Sequence, residues 1–332
     1  MPKRLSLAHL PTPVQHLEAL DSYLGCEVWI KRDDITSGAA AGNKIRKLEF
    51  LLCEALARSA THILTSGGEQ SNHARATAIL AAQLRLKSVL LLATQNPSRP
   101  PPATGNIVLN QLAGSRIVWI TPQEFENSER ALAEEAARIS ANGERPYIIP
   151  VGGSNGLGAL GYVEAMCELR QQMDLGLMGS VREFDTVLVA CGSGGTAAGA
   201  ALGARHYGVA QHVHAIAVSH SRQYFRDVID RIVIEARSIL PRLSATVPVT
   251  VLDEYRGPAY GVASEEQLRF IVEVANRTGL ILDPVYTGKA LFALAQLSEK
   301  PERVLFIHTG GLPGALAQAE ALSAFARHEG GE

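Results

Sequence analysis

Two lysines three residues apart are the side chains of this sequence best placed for chemistry. Lys44 and Lys47 lie in the segment Gly-Asn-Lys-Ile-Arg-Lys-Leu-Glu (42–49), where a glycine-containing loop leads into a predicted helix. Residues three apart are neighbours on a helix surface. One amine could therefore carry covalent chemistry while the other binds an anion, which is the division that a phosphorylated aldehyde requires. A lysine that opens a helix is usually a solvated surface residue, so this interpretation needs support from elsewhere in the chain.

A glycine-rich turn gives the first support. The turn consists of Cys191, Gly192, Ser193, Gly194, Gly195 and Thr196, and it joins an apolar strand to a helix of small residues. Backbone N–H groups in such a turn can converge on one phosphate, and the N-terminus of the following helix adds partial positive charge. The turn is thus either a phosphate site or a glycine turn that only lets strand and helix pack closely.

A dinucleotide site is the competing interpretation. The spacing G-x-G-x-x-G/A is satisfied by Gly192, Gly194 and Ala197, and again by Gly156, Gly158 and Gly161. Neither copy is followed by an acidic residue at the end of the next strand, where the ribose of NAD would need one. Ser219 and Arg222 could suit a 2′-phosphate instead, which keeps an NADP-dependent oxidoreductase open as a different class.

Three further segments place polar side chains at turns. Ser71 and Asn72 stand with Gln70 and His73 at the start of a predicted helix, where a carboxylate could bind, although Ser71 could serve only as a helix cap. Tyr286 lies in Asp-Pro-Val-Tyr-Thr-Gly-Lys (283–289), a turn that opens a helix, and such a tyrosine is more often a packing residue than a catalyst. His-Thr-Gly-Gly (308–311) ends a buried strand with a hydroxyl and two glycines.

The elements that must position these residues form a βαβ pattern. Short apolar runs rich in β-branched residues alternate with amphipathic stretches of helical length, which is typical of a parallel sheet flanked by helices. The predicted strands are 61–65, 88–93, 116–120, 146–151, 185–190, 213–218, 249–252 and 304–308, and the predicted helices include 71–84 and 122–141. The fold class is therefore α/β. The composition shows no disordered linker, so two lobes would be interleaved in sequence, and the polar tail from Arg327 is expected to fray.

The composition excludes several classes of function. The 332 residues suit two lobes of ordinary size; 46% are hydrophobic and 19% charged, and the formal net charge is -2. This balance gives no basic field for nucleic acid or a membrane, so the predicted partner is a small molecule. The sequence contains no signal peptide and no long apolar run, which predicts a cytoplasmic protein. The four cysteines form no Cys-x-x-Cys pair, so neither a metal site nor a disulfide framework is expected.

Together these segments resemble the fold-type II pyridoxal-phosphate (PLP) enzymes, which share the fold of the tryptophan synthase β subunit. Within them the chain resembles the group of D-cysteine desulfhydrases and 1-aminocyclopropane-1-carboxylate (ACC) deaminases. The resemblance covers most of the chain, from Leu-Pro-Thr-Pro (10–13) to His-Thr-Gly-Gly (308–311). It implies a homodimer, with PLP held between a large domain of residues 1–45 and 155–332 and a small domain of residues 46–154.

The resemblance also implies roles for individual residues. Lys44 would hold the cofactor covalently, Lys47 and the glycine-rich turn would bind its phosphate, and Tyr286 would stack on its ring. The implied cofactor-binding residues are Lys44, Lys47, Asn72, Cys191, Gly192, Ser193, Gly194, Gly195, Thr196, Tyr286, Thr287, Thr309 and Gly310. Ser71, Asn72, Tyr260 and the backbone of His73 would contact the substrate. The implied catalytic residues are Lys44, Ser71, Tyr260 and Tyr286.

Two threonines favour one chemistry within the group. ACC deaminases resemble one another in carrying Glu after the ring tyrosine and Leu at the place of Thr309, whereas this chain has Thr287 and Thr309. A carboxylate beside the pyridine nitrogen makes the ring a stronger electron sink, which breaking a carbon–carbon bond requires more than expelling a thiolate does. The chain is therefore expected to eliminate sulfide and ammonia from D-cysteine and to leave pyruvate. An ACC deaminase and a lyase for L-cysteate or another β-substituted amino acid remain alternatives.

Overall fold

The computed structural model describes residues 1–326, so the tail from Arg327 lies outside the described residues. Its strands are β1 (Val14–His16), β2 (Glu27–Lys31), β3 (His62–Gly68), β4 (Lys87–Ala93), β5 (Arg116–Ile120), β6 (Pro146–Ile148), β7 (Phe184–Cys191), β8 (Ala210–Ala217), β9 (Val249–Leu252) and β10 (Arg303–Ile307). Its helices are α1 (Glu18–Leu24), α2 (Lys44–Ala57), α3 (Asn72–Gln83), α4 (Gly105–Leu112), α5 (Pro122–Glu126), α6 (Ser128–Ala141), α7 (Gly156–Asp174), α8 (Gly195–Tyr207), α9 (Arg222–Ile239), α10 (Glu265–Thr278), α11 (Thr287–Gln296), α12 (Leu312–Ala317) and α13 (Ala319–Ala326).

Residues 1–326 form two sheets. The six-stranded sheet has the order β1-β2-β10-β7-β8-β9, and the four-stranded sheet has the order β5-β4-β3-β6. Within the described chain every strand pair is parallel except β1 with β2. The larger sheet takes strands from both ends of the described chain and the smaller sheet takes them from the middle.

The larger sheet is buried on both faces, as parallel sheets are. Successive residues of β7 alternate between two cores: Val187 and Val189 belong to one apolar cluster, and Leu188 and Ala190 to the other. Helices α7 and α8 contribute to the first cluster, and α1, α10 and α11 to the second. This two-sided burial accounts for the nearly continuous apolar run that made β7 recognisable in the sequence.

Helix α2 positions the two lysines. Ile45, Leu48, Leu52 and Ala55 recur at helical spacing and lie in one apolar cluster, which fixes the rotation of the helix about its axis. The opposite side of α2 approaches α7 so closely that a Cβ on Gly161 would lie 2.4 Å from the carbonyl oxygen of Arg46. Gly161, the last glycine of the second dinucleotide-like spacing, therefore serves helix packing.

Several predicted elements differ from the structure. The predicted helix 122–141 is two helices, because the chain leaves helical geometry at Asn127. The predicted strand 146–151 ends at Ile148, and Val151–Gly153 forms a short 3-10 turn. Strands β1 and β2 are not apparent from the sequence, because β1 has three residues and β2 carries Glu27 and Lys31 at its ends. Among residues 1–326, no helix is both long and apolar enough to span a membrane.

Candidate active site

A cavity opens where β7 and β10 end. Its empty volume is about 400 Å³, and its wall includes Lys44, Asn72, Tyr286, Thr309 and most of the turn 191–196. The carboxyl ends of parallel strands are the usual place for a ligand in an open α/β sheet. The structure thus brings together residues from five separate segments that the sequence analysis selected individually.

Lys44 begins α2 at the cavity wall. Burial lowers the pKa of its amine from 10.5 to about 8. In the part of the chain that the structure describes, Lys44 lines the cavity and forms no ion pair and no side-chain hydrogen bond. An amine with a depressed pKa and no partner is a nucleophile for an aldehyde. This geometry fits an aldehyde cofactor.

The loop before Lys44 is held by Arg75 of α3. Arg75 is buried, and its guanidinium donates to the carbonyl oxygens of Ala39 at 2.5 Å and Ala41 at 2.7 Å. Gly42 has φ +124°, and a Cβ there would lie 2.9 Å from the carbonyl oxygen of Thr309. Glycine is thus required at position 42.

Lys47 lies behind the glycine-rich turn. Its side chain is 1% exposed, and burial together with the charge of Lys44 lowers its pKa well below 10.5. Its amine donates to the carbonyl oxygen of Gly152 at 3.2 Å and to Oγ of Ser154 at 3.1 Å. A Cβ on Gly195 would lie 2.8 Å from this amine, so only glycine leaves room for the amine beside the N-terminus of α8. The arrangement of amine, turn and helix end suits a phosphate.

The start of α3 presents Asn72 but not Ser71 or His73 to the cavity wall. Ser71 is the N-cap of α3, and its Oγ accepts a hydrogen bond from the N–H of Ala74 at 3.1 Å. The imidazole of His73 is 3% exposed; Nε2 contacts Oγ1 of Thr65 at 2.9 Å, and Nδ1 has no partner among the described residues. Burial lowers the pKa of His73 well below 6.5, so its imidazole is neutral at pH 7.

Replacing Ser71 by alanine is expected to keep the cofactor while lowering kcat/KM about tenfold or more, because a hydroxyl at this helix N-terminus would hold a substrate carboxylate. The loss of the cap alone should cost about 1 kcal/mol of stability. Thr121→Ala is the matched control, since Thr121 caps α5 at the edge of the smaller sheet. Equal kcat/KM for Ser71→Ala and the unmodified protein would reduce Ser71 to a helix cap.

Two tyrosines meet at the mouth of the cavity. Their hydroxyl oxygens are 2.6 Å apart, and the ring of Tyr286 lies against Gly192, where a Cβ would approach Cε1 to 3.1 Å. Tyr260 is 42% exposed and covers Gly68, where a Cβ would lie 2.9 Å from its ring. Burial of the hydroxyl and the neighbouring Tyr260 raise the pKa of Tyr286 well above 10, so this phenol stays protonated.

The two threonines of the sequence argument occupy different places. Thr309 lines the cavity, whereas Thr287 is 0% exposed and does not. Oγ1 of Thr287 donates to Oδ1 of Asp283 at 2.7 Å and accepts from the N–H of Asp283 at 2.7 Å. The carboxylate of Asp283 also accepts the N–H groups of Val285 and Tyr286. Asp283 thus organises the turn that carries Tyr286, a role that its place in the 283–289 motif did not reveal.

The remaining selected residues are structural or engaged elsewhere. Cys191 lines the cavity, and burial raises its pKa to about 12, so it is a thiol. Gly310 has φ +91° and lies close to Gly42: a Cβ on Gly310 would be 3.0 Å from the Cα of Gly42. Arg222, considered for a 2′-phosphate, pairs instead with Glu254 and Asp253.

Electrostatically, the site is suited to anions. No residue of the described cavity wall is acidic, while the amines of Lys44 and Lys47 lie at or behind it. A cofactor phosphate and a substrate carboxylate would balance this charge. The fold and the site together fit an α/β enzyme that binds a phosphorylated aldehyde.

The comparisons with known proteins agree. Residues 5–310 match the family described as "Pyridoxal-phosphate dependent enzyme". A "Putative 1-aminocyclopropane-1-carboxylate deaminase" of Thermotoga maritima is 41% identical over 323 residues, which are 96% of this chain and 99% of the relative. A "Bifunctional D-cysteine desulfhydrase/1-aminocyclopropane-1-carboxylate deaminase, mitochondrial" of Arabidopsis thaliana is 39% identical over 93% of this chain and 78% of its own length. A solved "ACC deaminase homologue" is 34% identical, with a TM-score of 0.85 over 97% of this chain and 96% of that structure.

The chain belongs to the pyridoxal-phosphate-dependent enzyme family, and its cofactor is pyridoxal 5′-phosphate. The predicted fold type and the predicted resemblance to the D-cysteine desulfhydrase and ACC deaminase group are confirmed. The names of the relatives are consistent with the predicted lyase. The NADP-dependent alternative finds no support in these comparisons.

Proposed function

We propose that this chain is a D-cysteine desulfhydrase, which converts D-cysteine and water to pyruvate, hydrogen sulfide and ammonia. The observation that carries this proposal is the absence of any acidic side chain from the described cavity wall. The acidic residue that Thr287 contacts is Asp283, and both carboxylate oxygens of Asp283 already accept hydrogen bonds from the protein. A ring nitrogen without a carboxylate partner gives a weaker electron sink, which suits a thiolate leaving group.

The residues have distinct proposed tasks in this reaction. When bound, the cofactor withdraws electrons from the α-carbon of the substrate. Lys44 would hold the cofactor and then, as a free amine, would take the proton from the α-carbon. The bond from the β-carbon to sulfur then breaks and HS⁻ leaves, and water hydrolyses the released aminoacrylate to pyruvate and ammonia. Lys47 and the turn 191–196 hold the phosphate. Asn72 and Ser71 orient the substrate carboxylate, and the protonated hydroxyls of Tyr260 and Tyr286 close the mouth.

We also propose the domain division that the sequence suggested. A large domain of residues 1–45 and 155–332 and a small domain of residues 46–154 would meet at the cavity. In support, the four-stranded sheet contains strands between His62 and Ile148, and the six-stranded sheet contains the others of the described chain.

ACC deaminase activity is the second candidate, because the names of both curated relatives include it. Opening the cyclopropane ring breaks a carbon–carbon bond, for which this cavity offers no carboxylate beside the ring nitrogen. A lyase for L-cysteate or a related β-substituted amino acid is a further alternative within the same elimination chemistry.

A side-by-side assay of D-cysteine, L-cysteine, L-cysteate and the cyclopropane amino acid tests the proposal. We expect sulfide and pyruvate from D-cysteine and at most a trace of 2-oxobutanoate from the cyclopropane acid. Lys44→Ala serves as the blank. Faster turnover of the cyclopropane acid would refute the proposal that a cavity without a carboxylate favours loss of sulfide. Preference for L-cysteine would leave elimination in place and remove the proposed handedness, which rests on resemblance alone.

A further inference from the structure

Residues 255–262 form a loop, here called the Tyr260 loop, that precedes α10 and carries Tyr260 to the cavity mouth. The N–H of Val262 donates to the carbonyl oxygen of Ala259 at 3.1 Å, which closes a four-residue turn. Gly261 has φ +79° at the third position of this turn, and Tyr260 occupies the second. Such a turn requires a residue that tolerates positive φ at its third position, so the backbone beside Tyr260 is closely defined.

A buried lysine binds the backbone of this loop. Lys289 of α11 is 0% exposed, and its Nζ donates to the carbonyl oxygen of Arg256 at 2.6 Å and to that of Ala259 at 3.2 Å. Within residues 1–326 it forms no ion pair with a carboxylate. Burial of an ammonium is unfavourable unless hydrogen bonds compensate it, and these two carbonyl oxygens are the compensation that the structure provides.

The backbone of the Tyr260 loop passes close to the amine of Lys289. Gly257 has φ +74°, and a Cβ there would lie 3.3 Å from Nζ of Lys289 and 2.9 Å from Oε1 of Gln267. Nε2 of Gln267 donates to the carbonyl oxygen of Tyr255 at 2.8 Å, so the start of the loop is tethered as well. Lys289 is the side chain that reaches both the middle of the loop and the turn that bears Tyr260.

Helix α11 therefore holds Tyr260 in two ways. Tyr286, which immediately precedes α11, binds the hydroxyl of Tyr260, while Lys289, one turn further along, binds its backbone turn. We propose that Lys289 is a positioning residue that fixes the Tyr260 loop over the cavity and so sets where Tyr260 meets the amino-acid substrate. The second half of this statement rests on the proposed function, and the first half does not.

Limited trypsin digestion of the holoenzyme tests the first half, because the exposed Arg256 places a cleavage site inside the loop. We expect Lys289→Met to raise the rate of cleavage between Arg256 and Gly257, identified by mass, about tenfold or more. Lys300→Met is the matched control. Lys300 also donates to a backbone carbonyl oxygen, that of Leu24 at 2.6 Å, but it precedes β10, at the end of that strand away from the cavity. An unchanged cleavage rate in Lys289→Met would overturn the proposal. If this variant does not fold, Lys289→Gln, with a shorter donor, is tested in its place against the same two outcomes.

A double-mutant cycle tests the second half, with whichever substrate of the panel turns over. Lys289→Met should raise KM about fivefold or more and change kcat less, with cofactor content unaltered. In a Tyr260→Ala background the same substitution should change KM less than about twofold, because Lys289 acts through Tyr260. Additive effects would refute action through Tyr260. Failure to turn over D-cysteine would count against the proposed function and leave the trypsin result unaffected.

Discussion

Replacing Lys44 by alanine is expected to lower kcat at least about 100-fold, as the loss of a positioned general base does. Lys44 is chosen because it lines the cavity and, within the described residues, has no hydrogen-bond partner for its amine, whose pKa burial lowers to about 8. At pH 7 about a tenth of such an amine is neutral, whereas an ordinary lysine with a pKa of 10.5 is almost wholly protonated. The neutral fraction, and with it the rate at which added cofactor attaches to the cofactor-free protein, should rise with pH through about 8.

Borohydride reduction followed by peptide mapping gives the direct measurement. The pyridoxyl mass is expected on Lys44. Lys47→Met is the matched control: it should weaken retention of the cofactor phosphate and still carry the label on Lys44. A label on Lys47 or Lys289, both of which are also buried lysines, would contradict the assignment.

Replacing Arg46 by methionine is expected to lower the free energy of unfolding by about 3–5 kcal/mol, the usual cost of breaking a buried ion pair from one side. Arg46 lies between the two lysines of α2 and is 2% exposed. Its guanidinium donates to Oδ1 and Oδ2 of Asp33 at 2.8 Å and to the carboxylate of Glu168 at 3.0 Å. Among the described residues, its loss would leave the buried carboxylate of Asp33 and the largely buried one of Glu168 with one neighbouring cation, Lys31.

Denaturant unfolding measures this change. Arg130→Met, which removes an exposed i,i+4 pair with Glu134 on α6, should cost at most about 0.5 kcal/mol and serves as the control. Although burial alone would raise them, the pKa values of Asp33 and Glu168 are lowered by Arg46, so their stabilisation is present near neutrality and disappears as the pH falls through the lowered values. Without Arg46 these pKa values rise, and acid unfolding should begin at a higher pH. Equal losses in the two variants would show that the pair contributes little.

The sequence predicted the residues that local chemistry identifies. Lys44 follows a glycine loop and opens an amphipathic helix, and the turn 191–196 follows an apolar strand; both patterns lie within a few residues of chain. Contacts between residues that are distant in the sequence leave no such local pattern. Arg75 and Lys289 are ordinary charged residues in the sequence, and their roles arise from carbonyl groups more than thirty residues away or on another element.

Thr287 has a hydrogen-bond partner that its sequence position does not indicate. Its position after the ring tyrosine suggested a hydroxyl at the cofactor ring, but one turn of chain brings Asp283 within 2.7 Å and takes that hydroxyl. Sequence spacing cannot distinguish a side chain that faces a ligand from one that faces its own turn, because both lie at a helix N-terminus. Thr309, selected by the same comparison, does line the cavity. The role of either residue toward the cofactor remains a proposal.

The dispersal of the cavity wall along the chain bears on the biosynthesis of the enzyme. Lys44 is made early, but the opposite wall is complete only when Tyr286 and Thr309 have been added. Domains fold as their residues emerge during translation, yet here a fragment that contains the whole cavity wall must span residues 43–309. A cofactor that needs the complete wall could therefore bind only after the chain has been synthesised through Thr309, so the amine of Lys44 would exist for much of translation without the opposite wall of its pocket.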